Sequence, residues 1–238
     1  YPLRRQRQMC IRDRYVVTVL GNCLIVLLIR LDSRLHTPMY FFLTNLSLVD
    51  VSYATSVVPQ LLAHFLAEHK AIPFQSCAAQ LFFSLALGGI EFVLLAVMAY
   101  DRYVAICTPL MYMVVMSPGI CIQPVAAPHS YSILVALFHT ILTFRLSYCH
   151  SNIVNHFYCD DMPLLRLTCS DTRFKQLWIL ACAGITFICS VLIVFVSYMF
   201  IISAILRMHS AEGQKKVFST CAYHLTTVSI FYGTITFM

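Results

Sequence analysis

The sequence predicts an all-α fold, a polytopic bundle of membrane-spanning helices, and three observations carry that reading. Of 238 residues, 60% are hydrophobic and 11% charged, with a mean hydropathy of +0.79; soluble domains run about 45–50% apolar and about 25% charged. The apolar residues are gathered into runs long enough to cross a hydrocarbon core, which takes about 20 residues. Those runs carry almost no charge. A soluble protein with buried helices is excluded on length and charge content alone, and with no water to satisfy the backbone inside a bilayer each run must be helical.

Six spans follow in order: about 15–29, 39–63, 74–100, 120–144, 177–206 and 217–238. The first is short at its amino end and the last runs to the end of the chain. Pro59, Pro124 and Pro128 fall inside spans two and four, where they kink helices rather than end them. Residues 1–14, "YPLRRQRQMCIRDR", form a basic segment with neither the apolar core nor the small-residue cleavage site of a signal peptide. They are assigned no function, and residues 15–238 are taken as one transmembrane domain.

The formal charge of +6 does not indicate a basic partner, because five of the sixteen Lys and Arg lie in the first fourteen residues. No basic patch is interleaved with aromatics, so nucleic acid is excluded as a partner. Orientation is not settled by charge either. The loops after spans one, three and five carry Arg30, Arg34, Arg102, Arg207, Lys215 and Lys216; the opposite side carries Lys70, Arg145, Arg166, Arg173 and Lys175. The positive-inside rule needs an excess on one side and finds a near tie. Cysteine is more informative. Cys77 opens span three, and Cys149, Cys159 and Cys169 lie in the long loop on the same side. Four cysteines gathered at one face suggest two disulfides in an oxidising compartment. That side is then extracellular, and Arg102 is cytosolic.

Two acids lie within the spans. Asp50 is twelve residues past Pro38 and Glu91 ten before Asp101; at 1.5 Å per residue they sit roughly 18 and 15 Å above the cytosolic ends of antiparallel helices. Ionisable groups at that depth are costly and by default functional. With Asn22 and Ser47 they could share a proton or a cation, or each could be a neutral packing residue. Ser84, Gly88, Glu91, Leu95, Met98 and Arg102 step by three and four along one helical face. Gly88 and Gly89 leave room there for a ligand, or for close packing of a second helix. There is no phosphate loop, no HExxH, no GxSxG and no metal-ligand spacing among the nine histidines. The sequence therefore argues for no enzyme, no cofactor and no metal beyond a cation near Asp50 and Glu91.

"GN" at 21–22, "LHTPMYFFLTNLSLVD" at 35–50, "MAYDRYVAICTPLMY" at 98–112, "SY" at 197–198 and "KKVFSTCAYHLTTVSIFYGT" at 215–234 closely resemble the olfactory receptors, a group of rhodopsin-like G-protein-coupled receptors. The "FYGT" at 231–234 is similar to the tetrapod-type (class II) group. The resemblance implies a rhodopsin-like seven-helix architecture, here with the seventh helix missing, in the plasma membrane of olfactory neurons. It implies a small volatile odorant and a heterotrimeric G protein of the stimulatory olfactory type as partners, with cyclic AMP as the output. The coupling face would comprise Asp101, Arg102, Tyr103, Tyr198, Lys216 and His224. Asp101 would latch Arg102 at rest, and Arg102 would swing toward Tyr198 on activation. It pairs Cys77 with Cys159 and Cys149 with Cys169. Around the ligand it places Cys182, Ala183, Thr186, Tyr232 and Ile235, facing Ser84, Leu85, Gly88 and Gly89 of span three. The sequence departs from the family at "PHS" (128–130), in its amino-terminal segment and in stopping at "ITFM". A truncated, non-signalling fragment or pseudogene product, retained in the endoplasmic reticulum, is the alternative expectation.

Overall fold

The computed structural model describes residues 2–66, 71–149, 153–154, 158–208 and 210–236, with the side chains of residues 2–5, 7, 66, 113, 118, 211, 216, 235 and 236 outside the description. The elements in order are α1 (Pro2–Leu31), a 3-10 turn (Ser33–Leu35), α2 (Pro38–Leu66), α3 (Phe74–Cys107), α4 (Tyr112–Val115), α5 (Pro118–Phe144), α6 (Asp161–Leu165), α7 (Arg173–Leu206) and α8 (Ala211–Thr236). Among the described residues, the isolated β-pairing is one antiparallel bridge, Tyr148 with Thr168.

Helix boundaries follow local chemistry. The Asp32 side chain accepts the Arg34 backbone N–H at 3.0 Å, capping the 3-10 turn. Pro38 and Pro118 are the first residues of α2 and α5, where a missing N–H leaves nothing unsatisfied. Within the helices, hydroxyls such as Thr44, Ser52 and Ser130 donate to the carbonyl four residues back, which satisfies them without a partner helix.

Every buried apolar cluster contains residues of α3, so α3 is the axis of the bundle. Leu81 and Cys77 pack near one end, Ile90 and Leu94 midway, and Met98, Ala99 and Val104 near the other. Outward, α1 exposes Val17, Leu20 and Leu24, and α7 exposes Leu177, Ile188, Phe195 and Met199. An apolar exterior of this extent suits lipid, not water. Among the described residues, five helices are long and apolar enough to cross a membrane: Gln8–Leu31, Pro38–Phe65, Phe74–Cys107, Gly119–Phe144 and Arg173–Leu206. The chain is an all-α multi-pass membrane protein.

The segment expected to make a sixth span, 217–238, lies largely in α8, which is not among the five. Its first turns carry Glu212 and Lys215, and Ser219, Thr220, Thr226 and Thr227 dilute the rest. The basic amino-terminal segment is continuous with α1.

Candidate functional site

Two sets of side chains stand out, at opposite ends of α3. At one end the chain between α5 and α7 folds back over the bundle. Cys77 of α3 bonds Cys159, with Cα atoms 5.4 Å apart, and Cys149 bonds Cys169 across 6.0 Å. Beside the first bond, the buried Gln80 side chain accepts the Cys159 N–H at 2.9 Å. Two residues on, Asp161 is buried among three partners. His139 of α5 contacts its Oδ2, while Lys175 of α7 donates to Oδ1 at 2.5 Å and Thr143 donates to the same oxygen at 3.1 Å. Burial alone would raise the Asp161 carboxyl; the bonds and charge of His139 and Lys175 outweigh it and hold the group below the ordinary carboxylate value of 3.8. Tyr148, which donates to the Thr143 carbonyl at 2.8 Å, is pushed up to about 12 by burial and the charge of Asp161.

Beside Asp161 lies a cavity of about 580 Å³ between α3, α5 and α7. Of the residues expected around a ligand, Ser84, Leu85, Gly88, Gly89, Cys182, Ala183 and Thr186 line it. Tyr232 does not. Its ring packs against Phe92, Phe187 and Phe231, and its hydroxyl donates to the Phe92 carbonyl at 3.1 Å, so it stands behind a floor formed by Phe92 and Phe187. The side chain of Ile235 lies outside the described residues. The two glycines divide the readings left open by sequence. A Cβ on Gly88 would meet nothing within 4 Å, whereas one on Gly89 would stand 2.9 Å from Ser132 Oγ. Gly88 thus gives cavity space and Gly89 lets α5 approach.

Sequence reasoning found Ser84 and Thr186 but missed the other polar lining residues, Tyr131, Ser132, His139 and Asp161. The hydroxyls of Ser84 and Ser132 are buried without a hydrogen-bond partner among the described residues, two unmet groups facing an apolar space. A signal existed: His139 sits alone in an apolar run and Lys175 borders the next one, at the same end of the bundle, a combination that is costly unless the groups meet.

Midway along α3, the carboxyls of Asp50 and Glu91 lie within side-chain hydrogen-bonding reach of one another, with Ser47 buried nearby on α2. Asn22 does not join them; its amide donates to the Thr18 carbonyl of its own helix at 3.0 Å. Among the described residues, no group of three or more His, Cys, Asp or Glu is placed to hold a metal.

At the other end the expected latch is not closed. Asp101 is buried and accepts from the Tyr112 hydroxyl at 3.0 Å, and among the ion pairs of the described residues none joins it to Arg102. Neighbours in a helix point about 100° apart, and Arg102 instead reaches the sulfur of Met39 on α2. Tyr103 packs between Tyr100 and Phe200. The Tyr198 hydroxyl sits 2.7 Å from His224 Nδ1, joining α7 to α8 rather than reaching Arg102. The Lys216 side chain lies outside the described residues.

The model of the olfactory receptor family matches residues 10–238. The chain is 73% identical over 224 residues to human olfactory receptor 8U9, 94% of this chain and 72% of that relative. The chain belongs to the olfactory receptor family. Other similar receptors are human olfactory receptor 8U8, at 70% identity over 94% of this chain and 70% of the relative, and mouse olfactory receptor 8U9, at 67% over 94% and 71%.

Proposed function

We propose that this olfactory receptor binds a small volatile odorant in the cavity between α3, α5 and α7, and answers by activating a stimulatory olfactory-type G protein that raises cyclic AMP. The carrying observation is the cavity itself: about 580 Å³, largely apolar, with two unmet hydroxyls. That combination favours a compact ligand with an apolar body and one or two hydrogen-bonding groups. Amines are disfavoured, because Asp161, the one carboxylate lining the cavity among the described residues, is already engaged by Lys175. Limited area and a penalty of about 1–3 kcal/mol for each unmatched polar group hold affinity to the micromolar range.

In this reading α8 is the sixth span, the Cys77–Cys159 end is extracellular, and Arg102 faces the G protein at the plasma membrane. Ligand binding shifts an existing equilibrium in which Arg102 leaves Met39 and Tyr198 leaves His224. Asp50 and Glu91 share one proton or cation, since two adjacent carboxyls at that depth do not both ionise unaided. The test is an odorant panel on the chain completed with the remaining part of human olfactory receptor 8U9. Gly88→Leu and Ser132→Val are expected to shift potency at least tenfold for the best agonist. Unchanged profiles in both variants place the ligand elsewhere.

A further inference from the structure

Tyr131 and Thr186 line two spaces at once. One is the cavity described above. The other is a groove of about 730 Å³ running from Ile120 and Pro124 on α5, past Val97 on α3, to Cys189 and Ile193 on α7. Where the two meet, the Tyr131 hydroxyl and Thr186 Oγ1 are 3.3 Å apart. Thr186 already gives its hydrogen to the Cys182 carbonyl at 2.7 Å, so the phenol is the donor. Tyr131 is 45% exposed, on the outward side of the bundle. Three of the four helices that line the groove, α3, α5 and α7, are among those able to cross a membrane, the short α4 adding Val115, and the lining is largely apolar. An apolar groove between spanning helices suits acyl chains better than water. At the disulfide end the cavity is lined instead by Asp161, held by His139 and Lys175.

We propose that the Tyr131–Thr186 pair is a lateral gate, through which small lipophilic ligands dissolved in the bilayer pass from the groove into the cavity. The inference rests on reading the cavity as the ligand site. Each buried methylene favours hydrocarbon over water about fourfold, so an apolar odorant concentrates in the membrane before it meets the receptor. A single neutral hydrogen bond biases an equilibrium only about fivefold; the gate is held shut weakly and opens by rotation of one aromatic side chain. The ligand class admitted is uncharged and apolar, because a fixed charge would have to cross the hydrocarbon beside Val97 and Ile193.

Two native thiols flank the gate, Cys182 lining the cavity and Cys189 the groove. The full chain in lipid nanodiscs would be treated with N-phenylmaleimide, which partitions into lipid, or with a sulfonated maleimide confined to water, and the rate at each cysteine read by peptide mass spectrometry. Tyr131→Phe keeps the ring and loses the bond; it should raise the N-phenylmaleimide rate at Cys182 about fivefold, and Tyr131→Ala more than tenfold, with Cys189 unchanged. Equal Cys182 rates in parent and both variants would overturn the gate. So would faster modification of Cys182 by the sulfonated reagent, which would show access from water. No odorant is used, so failure of the odorant reading leaves these rates as they are, and failure of the gate leaves the Gly88→Leu and Ser132→Val potencies as they are.

Discussion

The two ends of the α3 axis are held by forces of different kind. At the disulfide end, one covalent bond fixes the loop to α3, a second closes it on itself, and a buried charge cluster ties it to α5 and α7. At the Asp101–Arg102 end, a few hydrogen bonds join neighbouring elements, Tyr112 to Asp101 and Tyr198 to His224 and the Cys221 carbonyl, and among the described residues the arginine's hydrogen-bond partner is a thioether. One end is therefore rigid and the other within a few kcal/mol of rearranging. A ligand of micromolar affinity supplies no more than about 8 kcal/mol in all, and its differential effect on two states is smaller still. It could shift the second end and not the first.

The largest expected effect is loss of the Cys77–Cys159 bond. It joins residues 82 apart in sequence, against 20 for Cys149–Cys169. On the chain-entropy account, the two contribute about 4.5 and about 3.3 kcal/mol. Thermal unfolding of Cys77→Ser/Cys159→Ser and Cys149→Ser/Cys169→Ser in lipid micelles should preserve that order. Equal losses would mean that the loop is already closed in the unfolded chain.

Asp161→Asn comes next. It strands the Lys175 ammonium without its counter-charge, and breaking a buried pair from one side costs about 3–5 kcal/mol. Asp161→Leu combined with Lys175→Met should recover most of that, since removing both charges removes the desolvation penalty as well. The sign with pH follows from the lowered Asp161 carboxyl. Its contribution is complete above the ordinary value of 3.8 and is lost as pH falls through the lower folded value. Unfolding midpoints should thus be insensitive to Asp161 between pH 5 and 7 (roughly, from that linkage) and drop in stronger acid, and Asp161→Asn should flatten the acid limb. A drop confined to neutral pH would assign the cluster's proton to another group.

How much of this was legible beforehand depends on how local each signal is. The membrane fold follows from apolar runs, and it stands in the structure; the depth of the two acids follows from a fixed rise per residue, and Asp50 and Glu91 come within hydrogen-bonding reach. The disulfide partners and most of the cavity lining came through the family resemblance instead. What was not legible was side-chain choice at contacts between distant elements. Asp161 finds His139 and Lys175 across 22 and 14 residues, and nothing in spacing says so. Tyr232 was expected in the cavity and lies behind Phe92 because an aromatic cluster offered it a better-packed place. Asp101 was expected to hold Arg102, yet Tyr112, eleven residues on, occupies it.

A smaller effect tests the softer end. Tyr112→Phe leaves buried Asp101 with neither oxygen bonded, since its Oδ2 has no partner among the described residues. The expected loss is about 1–3 kcal/mol, below each of the three losses at the disulfide end. A loss as large as that of Asp161→Asn would erase the contrast between the ends.

The smallest effect should come from Arg102→Ala, and it is the most discriminating. Arg102 makes no ion pair within the described residues, and its contact with Met39 sulfur is to a weak acceptor. Exposed ion pairs themselves are worth only about 0.2–1 kcal/mol, and a guanidinium without one contributes less. Stability should change by under about 0.5 kcal/mol, within the error of an unfolding midpoint. In the chain completed with the remainder of human olfactory receptor 8U9, the same substitution should abolish the odorant-driven rise in cyclic AMP while surface delivery stays near parental. Those two results together would separate transduction from folding at a single residue. If Arg102→Ala instead unfolds the bundle by 2 kcal/mol or more (roughly the scale of a buried bond), the residue is holding α2 to α3. The lost signal would then say nothing about a G protein.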